Sequence, residues 1–202
     1  MLLAIRSTFR FRFLHVFFVI TNYILNDKIQ LYGDLQVRNV NYETSGIASN
    51  LATFTVDENY TFFNPKAGLT YEFNSQNDLY FSYARANREP TRDDFENNEN
   101  VKPEQLNDFE LGWRHKKGNF SFNANGYLML YNEQLVLTGQ INDVGAPIRN
   151  NSGESYRLGV ELEAVIPIIP QVTLQPNLAL SANRNRETVV SLNGELVNLG
   201  AT

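Results

Sequence analysis

Cysteine is absent from the 202 residues, which excludes disulfides and thiolate metal sites. Histidine is nearly so: His15 and His115 lie far apart, and no His/Asp/Glu cluster has ligand spacing, so no metal site is expected. His115 has no evident serine partner and no orienting acid, so neither catalysis nor a cofactor is expected. Charge is sparse, at 19% of residues, and the net charge of −5 leaves no basic face for nucleic acid. Long apolar runs are missing as well. The best candidate, residues 13–25, is broken by His15, Thr21, Asn22 and Tyr23, too short for a bilayer-spanning helix of roughly 18 or more residues. Arg6, Arg10 and Arg12 ahead of the apolar residues 13–20 could open a signal peptide, but no small-x-small cleavage site follows. A strand over 17–25, after a ragged segment 1–16, is the preferred reading.

What the chain does have is a period of two. In 28–40, Ile29, Leu31, Leu35 and Val37 alternate with Lys28, Gln30, Asp34, Gln36 and Arg38. Residues 63–73 set Phe63, Ala67, Leu69, Tyr71 and Phe73 against Asn64, Lys66, Thr70 and Glu72. The same alternation predicts strands over 78–84, 108–114, 120–131, 156–166 and 172–182, about eight in all, with an unfinished pattern at 189–198. No helical period competes.

The connections sort by length. Short turns are predicted at 26–27, 74–77, 116–119 and 167–170, and long connections at 41–61, 85–105 and 132–154, in strict alternation. An up-and-down barrel in an outer membrane has this pattern, with short turns on the periplasmic side and long loops outside. A Greek-key sandwich has no reason to sort its loops by end. Phe73, Trp113, Phe120 and Phe122 flank short turns on the apolar face, where an interfacial aromatic girdle belongs. On this reading Leu69, Phe122 and Leu162 face lipid, and Glu72, Asn123 and Glu161 face an aqueous bore. A one-residue slip would exchange the faces, and each Arg or Lys turned to lipid near the midplane costs about 2–4 kcal/mol. Pro65 and Pro176 run against a closed ladder, because neither has an amide to donate.

From Phe62-Phe63-Asn64-Pro65-Lys66-Ala67-Gly68-Leu69 onward the chain resembles the barrel of TonB-dependent receptors, Bacteroidetes type in particular. The resemblance runs through Tyr83-Ala84, Arg88-Glu89-Pro90-Thr91-Arg92-Asp93-Asp94, Lys102-Pro103-Glu104 and Phe109-Glu110-Leu111-Gly112. Gln134-Leu135-Val136-Leu137-Thr138-Gly139 and Ser155-Tyr156-Arg157-Leu158-Gly159-Val160-Glu161-Leu162 continue it, over residues 17–182. It implies an all-β, antiparallel, up-and-down transmembrane barrel. Residues 17–202 would be a partial barrel of about eight strands without a plug domain. It also implies a place in the bacterial outer membrane, with lipid as one partner and the TonB energy-transducing complex as another, through a plug that this sequence does not contain. The parent's cargo would be a scarce nutrient such as an iron–siderophore complex, haem or cobalamin. A complete small barrel acting as adhesin or anchor, and a soluble β-sandwich binding module, are the alternatives.

For the site, Arg85, Arg88 and Arg92 could grip the carboxylates or catecholates of an anionic chelate. The competing reading is an internal salt-bridge cluster with Glu89, Asp93, Asp94 and Glu96, in which Pro90 fixes a structural corner. Residues 132–154 are expected to prolong their hairpin above the membrane, with closure over a ligand as the alternative.

Overall fold

A computed structural model describes residues 9–47, 53–98, 100–141, 145, 147–186, 189–192, 195–198 and 200–201. Its main sheet is antiparallel throughout and follows chain order. The strands are β1 (Phe9–Asn26), β2 (Ile29–Ile47), β3 (Thr53–Asn74), β4 (Asn77–Arg88), β5 (Glu104–Lys117) and β6 (Phe120–Asn132). Next come the outlying hairpin β7 (Leu135–Ile141) and β8 (Pro147–Asn151), and then β9 (Ser155–Ile169), β10 (Val172–Leu174) and β11 (Asn177–Asn185). A second small hairpin, β12 (Val189–Leu192) and β13 (Glu195–Asn198), lies within the pattern left unfinished by the sequence. A short helix, α1 (Arg92–Asn97), interrupts the β4–β5 connection. Among the described residues the sheet does not close: β1 and β11 are its free edges.

The register shows why these residues form one wall. Leu31, Leu69, Phe81, Leu111, Gly126, Val160 and Leu180 stand opposite one another across six successive pairings. That row is apolar and open to the surroundings, with Leu111 62% and Leu180 63% exposed. Another row runs Glu72, Asp78, Arg114, Asn123, Glu163 and Asn177 on the opposite face. Pleating alternates side chains between faces, so aligning one residue of each kind assigns the rest of both rows. Leu69, Phe122 and Leu162 therefore share one face, and Glu72, Asn123 and Glu161 the other, as the alternation predicts.

At one end the strands are joined by two-residue turns at 27–28, 75–76, 118–119 and 170–171. The Asn26 side chain accepts from the amides of Lys28 and Ile29, at 2.9 and 3.0 Å, and Asn74 accepts from Gln76 N at 3.0 Å. Gly118, with φ of 58°, supplies the left-handed residue of its turn. Aromatic side chains gather at this end. Trp113 meets Phe122 edge-on at 5.6 Å, His115 lies 5.8 Å from Phe120, and Trp113 Nε1 donates to Asn77 Oδ1 at 3.2 Å.

The structure departs from the sequence reading in four ways, three of them at the long-connection end. First, the expected loop over 41–61 is largely strand, since the β2–β3 ladder continues unbroken to Ile47 opposite Thr53. The cause is a change of phase. Below Asn39 the apolar residues point outward (Leu35, Val37), whereas above it Val40 and Tyr42 are buried on the inner face, which Val56 and Phe62 of β3 share. A period-two count kept in one phase stops at the switch. Second, β1 starts at Phe9 rather than at residue 17. Residues 9–13 alternate Phe with Arg, but 14–20 are apolar on both faces except for His15, so the alternation is interrupted there and pairing with β2 carries the strand across. Third, β7 and β8 form a separate two-stranded sheet instead of prolonging β6 and β9. Glu133, with φ of 52°, turns the chain out of the wall, and the Asn151 amide ties the turn down. Fourth, the turn expected at 167–170 falls at 170–171, because β9 continues through Pro167 to Ile169.

Both awkward prolines find places. Leu174 opposite Ile166 and Asn177 opposite Glu163 keep one register across the gap. Only the donor of Pro176 is lost, while its carbonyl still accepts from Ala164 N at 3.0 Å. Pro65 lies just beyond Lys66–Ala84, the last β3–β4 pair, where β4 leaves the ladder. Asn87 Nδ2 donates there instead, to Phe63 O at 3.4 Å.

Candidate functional site

Where β4 departs from β3 it carries the chain across the inner face of the β2–β3 arms. Thr91 caps α1: the Asp94 carboxylate accepts from Thr91 N at 2.8 Å and from the Thr91 hydroxyl at 2.7 Å. This short helix delivers Phe95, which is 5% exposed and stacks on Tyr42 with ring centroids 6.1 Å apart. Phe95, Val101 and Leu135 from the loops close over Val40, Tyr42, Val56 and Phe62 from the wall, making an apolar cluster. The molecule's described core thus sits in the mouth, between the wall and its own loops.

Around that cluster the loops are tied to one another. Asn151 Nδ2 donates to Lys102 O at 3.0 Å and to Glu133 O at 2.8 Å, while its Oδ1 accepts from Lys102 N at 2.9 Å. Lys102 Nζ also pairs with Glu133 Oε1 at 2.7 Å, and Glu104 Oε2 accepts from Leu135 N at 2.9 Å. The neighbouring Glu133 holds the Lys102 ammonium above its ordinary pKa. On the wall, Tyr60 stacks on Phe62, and burial, helped by Glu58, pushes its phenol up to about 12.

Below the cluster a concavity of about 540 Å³ opens on the inner face. Arg12, Arg38, Lys66, Arg85 and Arg88 line it, and Glu89 is the one carboxylate among its lining residues. Glu89 binds Arg12, and also Arg38, whose Nη2 lies 2.7 Å from Glu89 Oε2. Arg38 Nη2 donates to Asn87 O at 2.8 Å, and its guanidinium lies 4.9 Å from the Phe62 ring centroid. Asn87 Nδ2 reaches Asn64 Oδ1 at 2.8 Å, and Asn64 in turn donates to Gln36 at 3.0 Å. Two buried donors, Arg38 Nε and Arg85 Nε, meet no acceptor.

Of the three arginines singled out in the sequence, Arg85 and Arg88 line this concavity. Arg88 lies 3.7 Å from Glu104 Oε2. Arg92 is elsewhere, 4.8 Å above the Phe54 ring. The expected partner Asp94 is 2% exposed and faces Arg149 at 3.8 Å. Sequence reasoning missed Arg12, Arg38, Lys66 and Glu89 as a group. Arg12, Arg38 and Lys66 come from three different strands, and only the register puts them on one face, Arg12 opposite Tyr42 and Lys66 opposite Asp34, four residues to either side of Arg38 on β2.

A family model described as TonB dependent receptor-like, beta-barrel matches residues 7–198. Solved structures agree in shape. The siderophore receptor PiuA from Acinetobacter baumannii superposes with a TM-score of 0.73 at 19% identity, over 93% of this chain and 28% of that one. The copper transporter OprC gives 0.71 at 16%, over 85% and 29% respectively. The ferric yersiniabactin uptake receptor FyuA from Yersinia pestis gives 0.66 at 14%, over 88% and 28%. The chain therefore spans under a third of the length of these solved receptors. Comparison with curated protein sequences produced no match.

Proposed function

The chain belongs to the TonB-dependent receptor-like β-barrel family, and from that premise we propose that it forms part of the wall and mouth of an importer for a scarce nutrient. It is a protein of the bacterial outer membrane, and its apolar row, Leu31 to Leu180, is the face toward lipid.

The observation that carries the importer reading is the change of phase on β2 and β3. Outward side chains from Ile29 to Val37 are largely apolar, along about 30 Å of strand. Tilted by about 40°, that length matches the apolar band of about 25 Å in an outer membrane. Above it the outward residues Asn39, Asn41, Asn59 and Thr61 are polar, and the apolar side chains turn inward beneath the loops. A wall so built stands in lipid below and in water above, with a roofed vestibule at its outer end.

The cargo enters from the roofed side. Arg85 and Arg88 on the concavity, with Arg92 in the roof above, are assigned to an anionic nutrient such as a metal chelate, because guanidinium forks match carboxylates and catecholates. On the inner face lower down, Asp108, Glu110, Glu161 and Glu163 form an acidic strip. A basic surface of the plug would meet it, and through that plug the TonB complex would supply the energy. The test is uptake of radiolabelled iron chelates, haem and cobalamin by energised cells, with and without this gene and with and without TonB. Uptake of at least one should require both genes. If every cargo enters equally well without this gene, the proposal is wrong.

A further inference from the structure

The β4–β5 loop is fastened to the wall by an anion of its own. Glu89 lies at the start of that loop, one residue before Pro90 and two before the α1 cap. Its carboxylate is 12% exposed and is shared between Arg12 of β1 and Arg38 of β2. We propose that Glu89 is a resident stand-in for ligand: a multiply charged carboxylate entering the concavity displaces it from the arginines and so unfastens the loop. This rests on the importer reading above, because the ligand must reach the mouth from outside.

Three observations support the exchange. The arginine seat does not depend on Glu89 for its shape, since Arg38 is also held by Asn87 O and lies against the Phe62 ring. Asn87 has its own anchor in Asn64. Two donors of the seat, Arg38 Nε and Arg85 Nε, are buried without a partner, and Glu89 is the one carboxylate lining the cavity, since the acids that pair with Lys66 and Arg88, Asp34 and Glu104, are not among its lining residues. The seat also opens onto about 540 Å³ of space, so a ligand can approach without moving the wall. Replacing one carboxylate by another on the same guanidinium pair keeps the charge-assisted hydrogen bonds, and a polycarboxylate adds acceptors for the two orphan donors. Removing Glu89 without replacement would instead leave buried positive charge uncompensated, which is strongly unfavourable. The exchange therefore favours an anion over a neutral molecule. Release then reaches α1, because Glu89 and the Thr91 cap are two residues apart.

The experiment uses the full-length protein extracted from outer membranes in detergent, with citrate as the probe and heat-modifiable gel mobility as the check on folding. Calorimetry should give Glu89→Gln a citrate affinity about tenfold or more above the parent, since the internal competitor is gone. Glu89→Asp, which keeps the charge, should stay within about threefold of the parent. Amide exchange over residues 91–98 should accelerate when citrate binds the parent, and should already be fast in unliganded Glu89→Gln. Unchanged or weaker citrate binding by Glu89→Gln overturns the inference, as does exchange in 91–98 that citrate leaves untouched. Failure of the importer reading looks different: normal uptake in cells lacking the gene, with the Glu89→Gln effect on citrate intact.

Discussion

At the scale of single residues, the two faces of the wall make opposite demands. Leu128 stands between Phe109 and Leu158 on the apolar row, whereas Asn125 stands between Gly112 and Glu161 on the polar one. Leu128→Arg should lower stability in a lipid bilayer by about 2–4 kcal/mol, while Asn125→Arg should change it by less than about 1 kcal/mol. Urea titration of folded protein in vesicles measures both, and equal effects would refute the assignment of faces. In the roof, Asn151 alone satisfies two carbonyls and one amide from separate loops. Asn151→Ala should therefore leave the wall intact but speed proteolysis between 133 and 151, at a cost of about 1–3 kcal/mol to the closed roof. The Tyr60 phenol carries a pH prediction. Its folded pKa, raised to about 12, lies above the unfolded value, so its contribution is complete below pH 10 and is lost as pH climbs through 12. Alkaline unfolding of Tyr60→Phe should begin at a higher pH than that of the parent. The arginines of the site were legible in the sequence only as charges in a loop. Arg12 and Arg38 lie 77 and 51 residues from Glu89, and nothing local to any of the three announces the others.

At the scale of elements, alternation was legible wherever one face meets lipid and the other meets water. Residues 28–38 and 63–73 read correctly because both media act on them in one phase. Residues 40–47 and 53–61 did not, because their media are exchanged. β1 offers contrast between its faces at its start, where Phe alternates with Arg over 9–13, and loses it over 14–20. A further feature of the strands had no signature in the pattern: Tyr80 lies over Gly112 on the next strand, Tyr127 over Gly159, and Tyr32 near Gly68. Each pair spans two strands joined at the long-connection end, β2–β3, β4–β5 and β6–β9. A methyl group at Gly112 would collide with the Tyr80 ring. Gly112→Ala should thus destabilise the wall by about 1–3 kcal/mol, and adding Tyr80→Ala should recover part of the loss. If the double variant is as unstable as the sum of the two single ones, the ring and the glycine are not coupled.

At the scale of the molecule, the sheet of the described residues ends in two unpaired edges, and hydrocarbon offers their amides and carbonyls no partners. Residues 9–201 expressed alone should fail to insert as monomers and should associate edge to edge. Mass photometry in detergent distinguishes the outcomes, and a stable monomer would count against the open wall. The switch of phase at Asn39 bears also on where such a protein can reside. Thickening the hydrocarbon by two or three lipid methylenes per leaflet would drag the amide ladder of Asn39, Asn59 and Thr61 below the headgroups, with no aliphatic surface behind it to compensate. Folding yield should consequently fall steeply with acyl-chain length, making bilayer thickness itself a sorting signal that keeps the protein out of the thicker inner membrane.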